Sequence, residues 1–175
     1  MSDTKKFKGV NTICTHVGQV KDEQFGSSVS PIFPGTSYEY IDKEIDRYPR
    51  YSSTPNQEFL SKKVSALEQT ERAIILGSGM AAISTSLLSF LGSGDHIVVQ
   101  NDIYGGTRNL IEKQFIRYKI EYSFTKGIGI EEFEKEIKSN TKAIFIETPS
   151  NPLLKIVDIE KIANLSKNYG LISFI

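Results

Sequence analysis

Ala73-Ile74-Ile75-Leu76-Gly77-Ser78-Gly79-Met80-Ala81-Ala82-Ile83 is the stretch that decides the fold. Four apolar residues end at a glycine, and Ser78-Gly79 follows. Met80, Ile83, Leu87, Leu88 and Leu91 then recur at helical spacing. That order specifies a short buried strand, a turn of small residues and a helix. The first N–H groups of a helix lack intrahelical acceptors and carry the positive end of its dipole, so such a turn suits a phosphate. Close packing of strand on helix uses the same small residues, and local sequence weighs the two readings equally. The turn is not Gly-x-Gly-x-x-Gly, because position 82 is alanine and the nearest acidic residue further on is Asp102. No Gly-Lys-Ser/Thr follows it either, which excludes a Walker loop.

Working outward, the same alternation continues. Strands are expected over 73–76, 96–99, 120–124, 142–146 and 171–175. Helices are expected after Asn56, from Ser78, from Gly105, over 130–137 and over 158–167, the last ended by Gly170. The strands are near-continuous apolar runs, as parallel strands buried on both faces require. Five strands alternating with helices predict an α/β sheet covered on both sides. Residues 1–55 differ: they show no sustained periodicity and are rich in Gly, Ser and Pro turns. They also carry Phe25, Phe33, Tyr38, Tyr40, Tyr48 and Tyr51, too many aromatics for solvated disorder. The division expected is an intersubunit arm, 1–55, followed by the first part of an α/β domain, 56–175. The final apolar run stops on Ile175 with no loop after it, so a truncated domain is expected.

Composition narrows the function. The 175 residues hold 21 Lys+Arg and 21 Asp+Glu, so there is no basic excess with which to grip nucleic acid. The single Cys14 permits no internal disulfide and no cysteine-rich zinc site, and is expected to be a small packed or arm residue. His16 and His96 stand at no metal-ligand spacing, so no metal is expected. No apolar run is long enough for a membrane helix, and the charged start has no apolar run behind it. A soluble cytoplasmic protein is the expectation.

Three further motifs could carry chemistry. Asp102-Ile103-Tyr104-Gly105-Gly106-Thr107 follows a strand, and its tyrosine can lie flat on a planar ligand. Glu147-Thr148-Pro149-Ser150-Asn151-Pro152 follows another, and sets Asn151 between two prolines where its amide can donate to a ligand oxygen. In the arm, Tyr48-Pro49-Arg50-Tyr51 places a hydroxyl and a guanidinium two residues apart, on one side if the backbone is extended, to suit a phosphate or carboxylate. Each has a plainer reading as a surface aromatic, loop punctuation or a solvated arginine. Three of the four motifs lie at strand carboxyl ends, and a phosphate turn, a stacking ring and an amide fit a planar phosphorylated cofactor better than a dinucleotide.

In this order the motifs Tyr48-x-Arg50, Ser78-Gly79-Met80-Ala81-Ala82-Ile83, Tyr104-Gly105-Gly106-Thr107 and Glu147-Thr148-Pro149-Ser150-Asn151-Pro152 resemble the Cys/Met-metabolism family of pyridoxal-phosphate (PLP) enzymes. Thr15-His16-x-Gly18 and Ser30-Pro31-Ile32 resemble that family's arm. The resemblance implies the aspartate-aminotransferase-like fold type I and a homotetramer built of dimers. It implies that Gly79 and Met80 bind the PLP phosphate, that Tyr104 stacks on the ring and assists proton transfer, and that Asn151 bonds the phenolic oxygen. It also implies that Tyr48 and Arg50 reach the phosphate of a neighbouring subunit's cofactor and that Arg108 helps bind an amino-acid substrate. Where the family commonly has Gly-Asn-Pro-Thr after Tyr-x-Arg, this chain has a segment one residue longer, ending Ser52-Ser53-Thr54-Pro55-Asn56. The family's aspartate for the pyridine nitrogen, its cofactor-bearing lysine and its C-terminal domain would follow Ile175. The function implied is γ-elimination or γ-replacement on cystathionine, O-acylhomoserine or methionine-type substrates, with these residues inactive by themselves. Synthase, lyase and sulfhydrylase are not distinguished. The alternatives are a non-catalytic fragment or interrupted gene product of the family, and a nucleotide-binding α/β module.

Overall fold

The computed structural model describes residues 9–44 and 46–175, so the charged opening of the chain and Ile45 lie outside the described residues. Contacts divide the chain into two units, Met1–Gly77 and Ser78–Ile175.

The second unit is built on a parallel sheet of four strands: β1 (His96–Val99), β2 (Glu121–Phe124), β3 (Thr141–Phe145) and β4 (Ile172–Phe174), in the order β2-β1-β3-β4. Ile97 pairs with Tyr122 on one side and Ala143 on the other, and Phe145 pairs with Phe174. Alternate side chains go to opposite faces. Ile97, Val99, Ala143 and Phe145 pack in one cluster with Leu87 of α3 (Gly79–Phe90) and with Leu91, which caps its carboxyl end. Ile111 and Phe115 join them from the helical run α4 (Gly105–Leu110), a π turn (Ile111–Phe115) and α5 (Ile116–Tyr118). Val98, Ile144 and Ile146 pack on the other face with Phe133 of α6 (Ile130–Glu134) and with Ile162 and Leu165 of α7 (Ile159–Tyr169). Central strands buried on both faces must be apolar, or must satisfy their polar groups by hydrogen bonds, at every position. This explains the run Ile97-Val98-Val99 in β1, all four of whose residues are buried, and the hydrogen-bonded His96 that opens it.

The connections place the site. The helices after β1 cover one face and the helix after β3 covers the other. These two strands are neighbours, so the loops leaving their carboxyl ends diverge and open a crevice between them.

Local signals set the helix ends. Ser78 Oγ accepts from Ala81 N at 3.1 Å at the start of α3, and Asp158 Oδ1 accepts from Lys161 N at 3.1 Å at the start of α7. Gly170 ends α7 at φ 65°, and Leu171 N returns to Ser166 O at 2.8 Å.

The first unit contains α1 (Val10–His16), a 3₁₀ turn (Pro49–Tyr51) and α2 (Pro55–Leu67). Lys63 Nζ ties α2 to Cys14 O of α1 at 2.7 Å, while Cys14 itself is exposed on α1. Three expectations are corrected here. Helix α2 is capped by Thr54, not Asn56: Gln57 Oε1 accepts from Thr54 N at 3.2 Å and Thr54 Oγ1 at 2.8 Å. Asn56 instead brackets Phe33, accepting from its N–H at 3.0 Å and donating to its carbonyl at 2.7 Å. Residues 73–76 form no strand, and Ile74 is 70% exposed. A strand is defined by its ladder, and no described strand pairs with this run. The sheet therefore has four strands rather than five. Finally, Tyr48 and Arg50 do not lie in continuous extended backbone, because Pro49 opens a 3₁₀ turn between them.

Candidate active site

Three loops of the second unit converge on the crevice. The first is the start of α3. Its first intrahelical bond runs from Ala82 N to Ser78 O, and Ser78 Oγ takes Ala81 N. The N–H groups of Gly79 and Met80 precede both and have no acceptor among the described residues. A Cβ built on Gly79 meets nothing within 4 Å, so the approach to these N–H groups is clear.

The second loop follows β1. Tyr104 caps α4 with its ring half exposed. A Cβ on Gly106 would lie 2.5 Å from Tyr104 Cε1 and 3.0 Å from Met80 Sδ, so the ring lies directly against a glycine and beside α3. Only glycine leaves room for that ring position. Thr107 is buried just behind, its Oγ1 4.0 Å from Met80 Sδ.

The third loop follows β3. Ser150, fully buried, holds its turn: Ser150 N donates to Lys155 O at 3.0 Å, and Lys155 N donates back to Ser150 Oγ at 3.1 Å. Thr148 Oγ1 accepts from Val157 N at 3.1 Å, and both X-Pro bonds of the loop, Thr148-Pro149 and Asn151-Pro152, are cis. Asn151 is exposed, and its side-chain amide has no partner among the described residues.

Two residues without an expected role join these loops. Glu147 Oε2 accepts from Tyr104 N at 3.0 Å, and its Oε1 accepts from Asn151 N at 3.1 Å. Gln100, fully buried, accepts from Glu147 N at 3.0 Å and donates to Asp102 O at 2.9 Å. Asp102 is also paired with Lys155. The available signal was positional: each is the polar residue directly beyond an apolar strand, where the chain turns toward the crevice.

The remaining expected residues fall elsewhere. Arg108 lies on α4, donating to Glu112 Oε1 at 2.9 Å and to Asn101 Oδ1 at 2.9 Å, with its guanidinium 4.0 Å from the Phe124 ring centre. In the first unit, Arg50 Nη2 donates to Tyr48 Oη at 3.0 Å and the guanidinium lies 4.8 Å from that ring's centre, so the two groups meet across the turn. Ser53 Oγ accepts from Tyr48 N at 2.9 Å and Gln57 Nε2 donates to Pro49 O at 3.2 Å, which pins the turn to α2. Among the described residues no group of three or more His, Cys, Asp and Glu could hold a metal, and no helix is long and apolar enough to cross a membrane.

Comparison with known proteins decides what this arrangement belongs to. The family model for Cys/Met metabolism PLP-dependent enzymes matches residues 11–175. The chain belongs to the Cys/Met metabolism family of PLP-dependent enzymes. Its similarity to individual members is high: cystathionine γ-lyase of Bacillus subtilis is 39% identical over 163 residues, covering 92% of this chain and 43% of that protein. L-methionine γ-lyase of Fusobacterium nucleatum subsp. polymorphum is 33% identical over 175 residues, covering 94% and 44%. The crystal structure of metB from Corynebacterium glutamicum superposes with a TM-score of 0.87 at 35% identity, over 96% of this chain and 44% of that one. The α/β parallel sheet is therefore the fold of solved family members. The chain spans less than half the length of these relatives.

The crevice suits the family's cofactor, pyridoxal phosphate. Open N–H groups at a helix start match its phosphate, an exposed ring backed by glycine matches its pyridine face, and an unpartnered amide matches its phenolic oxygen.

Proposed function

We propose that this chain supplies the first part of the cofactor site of a PLP-dependent trans-sulfuration enzyme acting on sulfur amino acids with a γ-leaving group. The observation that carries the reading is the junction at Glu147, which brings the Tyr104 ring and the Asn151 amide to one crevice beside α3. In this reading Gly79 and Met80 N–H bind the phosphate, the Tyr104 ring covers the pyridine face, and Asn151 donates to the phenolic oxygen. When bound, PLP supplies an electron sink for carbanions at the substrate's Cα. The hydroxyl of the half-exposed Tyr104 would hold or pass a proton. Arg108 would offer a substrate carboxylate its guanidinium from α4, in exchange for its bond to Glu112.

The reading extends to the rest of the protein. Residues 1–55 would act as an arm toward another subunit, with Tyr48 and Arg50 presented to that subunit's cofactor phosphate. Their mutual bond already orients a hydroxyl and a cation to one side. A homotetramer working in the cytoplasm follows from the family resemblance. Residues 1–175 by themselves are proposed to be inactive, since the resemblance puts the ring-nitrogen acid and the cofactor-bearing lysine beyond them.

Titration of the protein with PLP, followed by induced visible circular dichroism, tests the binding role. A saturable signal, weakened by Gly79→Pro, which removes one phosphate N–H, is the expected result. No saturable signal would sink the assignment. Turnover of cystathionine or O-acylhomoserine by 1–175 above the rate of free PLP would disprove the proposed inactivity.

A further inference from the structure

We propose that Glu147 is a positioning residue of the site: its carboxylate sets the Tyr104 ring and the Asn151 amide at a fixed separation by holding both backbones at once. This inference rests on the cofactor reading above. Each carboxylate oxygen takes one N–H, from Tyr104 at 3.0 Å and from Asn151 at 3.1 Å, across sequence separations of 43 and 4 residues. Tyr104 is the cap of α4, so its backbone position fixes where the ring begins. Asn151 lies in a turn whose buried Ser150 holds the other side. Among the described residues neither side chain makes a hydrogen bond of its own, and the Tyr104 ring only rests against Gly106, so the backbone anchor is what sets their places.

The anchor is itself seated. Gln100 uses both ends of its buried amide, one on Glu147 N and one on Asp102 O, so the two strand ends are cross-linked beneath the carboxylate. A carboxylate is needed at this point rather than any polar group. It presents two acceptors and no donor, whereas an amide would point an N–H₂ at one of two N–H groups. Hydrogen bonds to a charged acceptor are also about twice as strong as neutral ones.

Glu147→Gln separates this role from general stabilisation. The expected result is a melting temperature lowered by only a few degrees, PLP affinity about tenfold weaker, as loss of one charge-assisted bond implies, and a smaller induced dichroism per bound cofactor. Unchanged affinity and dichroism would overturn the proposal. So would weaker binding with the dichroism per bound cofactor unaltered, since a purely structural role lowers occupancy without moving the ring. If the unaltered protein binds no PLP, the cofactor reading fails and backbone amide exchange decides the clamp: Tyr104 and Asn151 N–H exchanging about tenfold faster in Glu147→Gln supports it, and equal rates refute it. If the variant does not fold, exchange in the unaltered protein decides. Joint protection of both amides supports the clamp, and unprotected exchange at either refutes it.

Discussion

Glycine 106 shows how closely one residue's size is tied to the site. Its missing side chain is the space that the Tyr104 ring occupies, with Met80 Sδ also close by. Gly106→Ala must push the ring outward, and the ring is free to go because it is half exposed. The expected outcome is a stability change within about 1 kcal/mol and a clear loss of PLP affinity, measured by thermal melting and by titration. Loss of stability without loss of affinity would mean that the ring does not sit where the cofactor binds. Gly79, Met80, Tyr104 and Asn151, which are proposed to hold the cofactor, were legible as candidates that meet at one crevice because each belongs to a short motif directly after a strand or at a helix start. Glu147 and Gln100 were not, because their role is a pair of hydrogen bonds between segments more than forty residues apart. Composition and spacing say nothing of which distant N–H a carboxylate will meet.

At the scale of elements, local chemistry decided most boundaries. Strand β1 falls on the expected 96–99 because the apolar run Ile97-Val98-Val99, too short for a helix, is bounded by turn-forming Gly92 to Asp95 and by Gln100, with His96 as its one polar member. Helix α7 is bounded by Asp158 and Gly170, an N-cap carboxylate and a left-handed glycine that are both readable in one dimension. The start of α2 was misassigned by two residues, since Thr54 and Asn56 are both able caps and Phe33 claims the asparagine. Thr54→Ala removes the hydroxyl that donates to Gln57 and should cost about 1 kcal/mol of stability. Asn56→Ala leaves the cap intact and should loosen the Phe33 segment instead. Amide exchange at Phe33 and at the first turn of α2 separates the two. The run 73–76 has a strand's composition without its ladder, and no local reading supplies a missing neighbour.

On the scale of the whole molecule, His96 ties three strands together at the amino ends of the sheet. It is fully buried, with Nδ1 2.8 Å from Thr141 Oγ1 and Nε2 3.0 Å from Ser123 Oγ. Burial, with Lys138 nearby, holds its pKa below the ordinary 6.5, and Glu121 and Glu136 oppose this only in part. The unfolded chain therefore binds a proton that the folded one resists. Stability is full above pH 6.5 and falls as pH drops from there toward the folded-state value. His96→Gln should flatten that part of the stability–pH profile while lowering stability at neutral pH, as denaturant unfolding across the range would show. An unchanged slope would assign the acid sensitivity to other groups. By itself the sequence determined the α/β class, the parallel sheet and the three loops that line the crevice. These depend on local apolar periodicity, helix ends and turn residues, which act between near neighbours. Only the tertiary structure decided that β1 and β3 lie side by side with their following helices on opposite faces. That choice opens the crevice and lets one carboxylate hold two loops, because strand order is settled by packing over the whole sheet rather than by any single segment.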